Sequence, residues 1–206
     1  VLSIGLTTLV ENPLCTSDHD FNLLLQKQSE TGIPLGLNLL FHHASYLADL
    51  EKLIEKCVLS HIEIIWRDTA EEQRYGDLKR PDYFTRQVDD MFPHCWSILN
   101  RLGCSENLTI TRATAQHTGE ICLFGKTSES DFSFTISRFA KERTRRVSLN
   151  GGEIVLDFST EPGFLEVSSV RTKNEWQGDR PLRCSLKEFI AVASNHMSYL
   201  DWPLGL

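Results

Sequence analysis

Between residues 108 and 170 the chain breaks into six short apolar or alternating segments, at 108–114, 119–124, 131–139, 145–149, 153–158 and 164–170, each bounded by polar or glycine-containing turns. Segments of this length, rich in β-branched and aromatic residues, are strands. Links this short join neighbours that run in opposite directions, because a parallel return needs a crossover of a dozen or more residues. Gly151-Gly152 is the clearest hairpin turn among them. The expectation is an α/β (α+β) chain built on a large, predominantly antiparallel sheet, with helices before and after it covering one face.

The part before the sheet reads differently. Residues 6–10 form a short buried strand, Thr16, Ser17 and Asp18 offer helix caps, and Phe21, Leu24, Leu25 and Gln28 carry a helical stripe that stops at Gly32-Ile33-Pro34. A strand over 35–41 follows, so the first forty residues read as strand, helix, strand, the end of a parallel α/β layer. The spacing of Leu47, Leu50, Leu53 and Ile54 predicts an amphipathic helix over 46–56, and the alternation of 61–66 predicts a half-buried strand. Residues 68–82, with Gly76 and Pro81, read as a long polar surface loop. A helix over 88–102 has Pro93 near its start and Gly103 at its end. A closing helix over 185–199 is expected to begin at Ser185, with Glu188 completing a capping box.

Composition narrows the function. A formal charge of −7 and a pI near 5.5 exclude a phosphate-backbone partner, since nucleic-acid binding needs a positive field. The basic stretch 141–146 is expected to be a solvated strand end. No apolar run approaches the roughly 20 residues of a membrane span, and nothing reads as a secretory leader, so no membrane partner and a cytoplasmic location are expected. Six scattered cysteines without a C-x-x-C pair are expected to be reduced thiols.

Two constellations could carry chemistry. Glu11-Asn12-Pro13 ends the first strand, and ligands of open α/β sheets bind beyond the carboxyl ends of strands; its plain alternative is a strand turning into a loop. Asp90 and His94 lie one helical turn apart on one face. Imidazole titrates nearest neutrality and suits proton transfer to or from a hydroxyl, and a neighbouring carboxylate orients it. The alternative gives Asp90 a capping role and His94 a packing role. A metal site drawn from His42, His43, His94, Asp90 and His117 or His196 lacks any zinc-type spacing, so no metal is expected. Neither glycine-rich phosphate loop is present.

These elements, in this order, resemble the second half of the Gfo/Idh/MocA oxidoreductases, the glucose-fructose oxidoreductase and inositol dehydrogenase type. Residues 9–14, including Glu11-Asn12-Pro13, look like the family's E-K-P motif that closes its Rossmann domain. The segment 35–41 is similar to the strand after it, Asp90 to His94 matches the D-x-x-x-H pair, and 145–157 with the tail from Asp179 through Phe189 to Pro203-Leu204 resembles the last strands and closing helix. The resemblance implies that 1–33 is the remnant of a Rossmann dinucleotide-binding domain and 34–206 a substrate-binding and oligomerising domain. It further implies NAD or NADP as the cofactor of the full-length protein, a small polar, sugar-like substrate, and homo-oligomers formed through the sheet face. The family's lysine and histidine flank the substrate hydroxyl, which assigns catalysis to His94 and Asp90 and cofactor binding to Glu11, Asn12 and Pro13. Here the lysine position is Asn12, whose amide can donate a hydrogen bond but cannot shuttle a proton. Phe92 and Ser97 stand where the family has a glycine and an aspartate. The resemblance therefore leaves two functions open: an NAD(P)-dependent oxidoreductase acting on a hydroxyl, carbonyl or imine, or a catalytically inactive relative that binds a metabolite or a protein.

Overall fold

A computed structural model of the chain describes residues 2–74, 77–79 and 83–194. Gly76, Pro81, His196, Pro203, Leu204 and the 195–199 end of the expected closing helix lie outside the described residues. The elements run β1 (Thr8–Val10), α1 (Asp18–Thr31), β2 (Leu35–Leu37), α2 (Ala48–Ile54), β3 (His61–Thr69), β4 (Glu72–Arg74) and β5 (Asp77–Lys79). They continue with α3 (Gln87–Arg101), β6 (Thr109–Ala115), β7 (Ile121–Lys126), β8 (Asp131–Ala140), β9 (Thr144–Leu149), β10 (Ile154–Asp157), β11 (Phe164–Val167), β12 (Val170–Lys173) and α4 (Pro181–Ser194). The chain divides into two compact units, Val1–His43 with Asp179–Leu206, and Ala44–Gly178.

In the first unit β1 and β2 pair in parallel, with Thr8 opposite Leu35 and Val10 opposite Leu37. Helix α1 starts where Ser17 Oγ accepts the Asp20 N–H at 3.1 Å and stops at Gly32, whose left-handed backbone (φ 64°) lets its N–H reach the Gln28 carbonyl. The strand expected over 35–41 ends at Leu37, and Leu40–His43 turns into a 3-10 helix. The closing helix also differs from expectation. It begins at Pro181, where a missing N–H costs nothing, so Ser185 lies inside it and caps nothing. Ser185 is buried, and its hydroxyl donates to Asn38 Oδ1 at 2.7 Å.

The second unit is an eight-stranded sheet in the order β12-β11-β10-β9-β3-β8-β7-β6. Every neighbouring pair is antiparallel except β3 and β8. The last expected strand, 164–170, is two strands, because Ser168 and Ser169 adopt φ of 48° and 69° and close a two-residue hairpin. The polar stretch after residue 68 is more ordered than a plain loop: β3 runs on to Thr69, and β4 pairs with β5 as a small hairpin.

Alternation along β3 sends Ile62, Ile64 and Trp66 to one face. On that face they lie beside Phe132, Phe134 and Ile136 of β8 and beside Leu149, Val147 and Arg145 of β9. Helix α3 covers this face with Met91, Cys95, Ile98 and Leu99, the i, i+4, i+7, i+8 stripe of an amphipathic helix. Phe92 meets Phe134 edge-on at 5.7 Å between ring centroids, and full burial of one such side chain stabilises by about 1.5–3 kcal/mol. Since α3 starts at Gln87, Pro93 sits inside it and not near its start, which leaves the Asp89 carbonyl without its usual helical donor.

Candidate functional site

His94 projects from the middle of α3, half-buried, and its imidazole stacks on the Trp66 indole with ring centroids 4.8 Å apart and planes inclined by 17°. The Arg145 guanidinium carbon lies 3.7 Å from the centroid of the same indole. Trp66 and Arg145 are direct cross-strand neighbours on β3 and β9, so one register pairing builds the seat beneath the imidazole. Phe158 packs against Trp66 at 6.3 Å and against Tyr46 at 5.4 Å, and Tyr46 meets Trp176 at 5.7 Å.

The charges around this stack are paired. The Arg145 side chain is only 3% exposed; its Nη1 donates to the carbonyls of Arg67 (2.7 Å) and Thr144 (3.3 Å), and its Nη2 pairs with the Asp68 carboxylate. Burial pulls the Arg145 pKa down to about 10 while Asp68 opposes the shift, so the group stays cationic at neutral pH. Burial also pushes the neighbouring Cys95 thiol up to about 12, and it raises the Tyr46 hydroxyl with help from the Glu161 carboxylate. Asp90 precedes His94 by one turn, but its Oδ2 accepts from Arg138 Nη2 at 2.9 Å. Arg138 also donates to the Thr85 carbonyl at 2.7 Å, which ties the entry of α3 to β8.

Glu11, Asn12 and Pro13 follow the carboxyl end of β1, as expected, in the first unit. Glu11 Oε1 accepts from Asn38 Nδ2 at 2.7 Å, and Asn38, 2% exposed, accepts in turn from Ser185. The Asn12-Pro13 peptide is cis. Both polar atoms of the Asn12 amide are buried, and neither has a hydrogen-bond partner among the described residues. An amide in that state presents an NH2 group with two donors and a carbonyl acceptor, a pattern that complements another carboxamide. Among the described residues no three His, Cys, Asp or Glu side chains gather into a metal-binding group, and no helix is long and apolar enough to cross a membrane.

Sequence reasoning missed Trp66, Arg145, Asn38 and Ser185. The basic run 141–146 reads as a solvated strand end, yet Arg145 shares the period-two stripe of Val147 and Leu149 and faces inward with them. That stripe was the available signal, since a charged residue in register with two apolar ones marks an inward position. Asn38 and Ser185 are 147 residues apart, and no local pattern links them.

No protein-family model and no curated protein sequence matches the chain. Solved structures do. The UDP-N-acetylglucosamine 3-dehydrogenase GnnA from Acidithiobacillus ferrooxidans aligns with a TM-score of 0.72 and 14% identity over 96% of this chain and 65% of that one. KijD10, a 3-ketoreductase from Actinomadura kijaniata solved with NADP, aligns at 0.74 and 13% over 98% and 66%. A Gfo/Idh/MocA family oxidoreductase from Vibrio cholerae aligns at 0.66 and 17% over 95% and 64%. The chain therefore has the fold of the sheet-bearing part of Gfo/Idh/MocA oxidoreductases and spans about two thirds of the length of these proteins.

Proposed function

We propose that this chain is the substrate-domain portion of an NAD(P)-dependent oxidoreductase that acts on a hydroxyl, carbonyl or imine of a small, polar, sugar-like molecule. The observation that supports it most is His94, an imidazole seated on an indole face over a broad sheet, in a fold shared with a sugar-nucleotide dehydrogenase and an NADP-bound ketoreductase. In this reading His94 takes the proton of a substrate hydroxyl during oxidation and returns it during reduction. Asp90 acts on His94 through the helix turn that it anchors to Arg138.

Glu11, Asn12 and Pro13 are the cofactor-binding residues of the proposal. The Asn12 amide pairs with the cofactor's carboxamide, and Asn38 fixes Glu11 beside it. A bound nicotinamide would supply the hydride-accepting carbon. Asn12 carries no ionisable proton, so proton transfer falls to His94 alone. Residues 1–33 are then the end of a dinucleotide-binding domain and 34–206 the substrate and oligomerising domain. Copies associate through the sheet face opposite α3, which carries Ser133, Thr135, Ser137 and the half-exposed Phe139, and the protein works in the cytoplasm.

The test is made on the full-length protein. NADH or NADPH is titrated by fluorescence and turnover is followed over a panel of sugars and sugar nucleotides. His94→Ala is expected to cut turnover about a hundredfold, as loss of a general acid or base does. An unchanged turnover number refutes the assignment. Asn12 favours a second reading, a metabolite- or protein-binding relative without turnover; nucleotide binding with no oxidation across the panel is its signature.

A further inference from the structure

Arg145 occupies a position where an apolar side chain would serve the core. It shares the inward stripe of β9 with Val147 and Leu149, both fully buried, and taking a guanidinium out of water costs several kcal/mol before its partners repay any of it. We propose that Arg145, acting through the Trp66 indole, is a positioning residue for His94: it holds the indole on which the imidazole lies and disfavours the protonated imidazole. The inference rests on the reading of His94 as the proton-transferring group.

One indole contacts both groups, the imidazole at 4.8 Å and the guanidinium at 3.7 Å. The negative face of an aromatic ring attracts a cation. Here the guanidinium already engages it, so a proton added to His94 creates a second cation beside the first, and like charge lowers the affinity for that proton. Asp68 compensates only in part. Its side chain is 30% exposed against 3% for Arg145, so water screens the carboxylate more than the guanidinium. Other charged or titratable groups belong to the same neighbourhood. Asp90, on its own helix, is paired with Arg138 of β8; Arg143 acts on both Tyr46 and Arg145, Glu161 acts on Tyr46, and Cys95 is an uncharged buried thiol.

The experiment is an NMR titration of the His94 imidazole in the full chain, with the signal assigned by its loss in His94→Gln. Arg145→Met is expected to raise the midpoint by about one pH unit, the low end of the effect of a nearby charge. Asp68→Asn, which strips the partial compensation, is expected to lower it, and Arg145→Lys to keep most of the wild-type value. An unmoved midpoint in a folded Arg145→Met protein, or shifts of one sign in both charge-removing variants, overturns the proposal. Should Arg145→Met fail to fold, Asp68→Asn decides, and a midpoint that rises or stays put overturns it. The titration needs neither cofactor nor substrate. Opposite shifts in a protein that turns over no sugar sink the oxidoreductase reading and leave the positioning role standing; lost turnover in His94→Ala with no shift in Arg145→Met does the reverse.

Discussion

Phe158 offers the sharpest test of how the site is held. Its ring is fully buried and joins Tyr46 at 5.4 Å to Trp66 at 6.3 Å, so it props the indole on which His94 rests. Burying a phenylalanine contributes about 1.5–3 kcal/mol. Each aromatic pair adds about 0.5–1.5 kcal/mol. Phe158→Ala should therefore cost about 3–5 kcal/mol, the range for emptying such a site. Phe158→Leu keeps most of the volume and loses the two ring pairs, about 1–3 kcal/mol. With a urea slope of about 2 kcal/mol/M, the alanine variant should unfold roughly 2 M earlier. Tryptophan fluorescence of a Trp202→Phe background is the right probe, because the other three of the four tryptophans, Trp66, Trp96 and Trp176, belong to the Ala44–Gly178 unit, whose transition need not coincide with that of the other unit. A loss below about 1 kcal/mol for Phe158→Ala, with Phe158→Leu indistinguishable from it, would refute the enclosed ring and with it the account of how Trp66 is seated.

Gly163 has φ of 82°, and a Cβ there would lie 2.0 Å from the Asp157 carbonyl oxygen, so Gly163→Ala should destabilise the unit by more than about 3 kcal/mol, read by the same urea curve. Burial pushes Cys95 to about 12 and Cys104 to about 11, and the thiolate is the nucleophile. Native alkylation near pH 8 should therefore spare these two, and mass spectrometry of the labelled peptides checks it; fast labelling of Cys95 contradicts its burial. Ser185→Ala removes a buried donor from Asn38 and should cost about 1–3 kcal/mol, seen as a lower melting temperature of the Val1–His43 and Asp179–Leu206 unit.

The elements that local patterns specify were legible in the sequence. Ser17 and Gly32 bound α1, Gly151-Gly152 turns β9 into β10 with φ of 74° and 98°, and the helix expected over 88–102 is α3. The failures were of one kind, where a partner distant in sequence overrode a local signal. Ser185 and Glu188 spell a capping box, but Pro181 starts the helix a turn earlier and Asn38 claims the Ser185 hydroxyl. Arg145 belongs to a basic run that reads as a solvated strand end, but the Arg67 carbonyl and the Asp68 carboxylate, 77 residues before it, hold it inside.

The larger failure produced the site. Strands β8 and β9 are joined by residues 141–143 alone, a link that reads as an ordinary hairpin, yet they do not pair. Strand β3 lies between them, parallel to β8 and antiparallel to β9. Turn chemistry describes only consecutive strands, so an insertion from some sixty residues upstream leaves no mark on it. That insertion sets Trp66 between Ile136 and Arg145, and α3 then lays His94 on the indole. Without β3 in that slot, Arg145 would face another strand, and the imidazole would have neither its aromatic seat nor a cation beneath it. The candidate chemistry thus depends on the least local pairing in the sheet, and this is why residue spacing alone pointed to His94 and Asp90 but not to the pair that holds the imidazole in place.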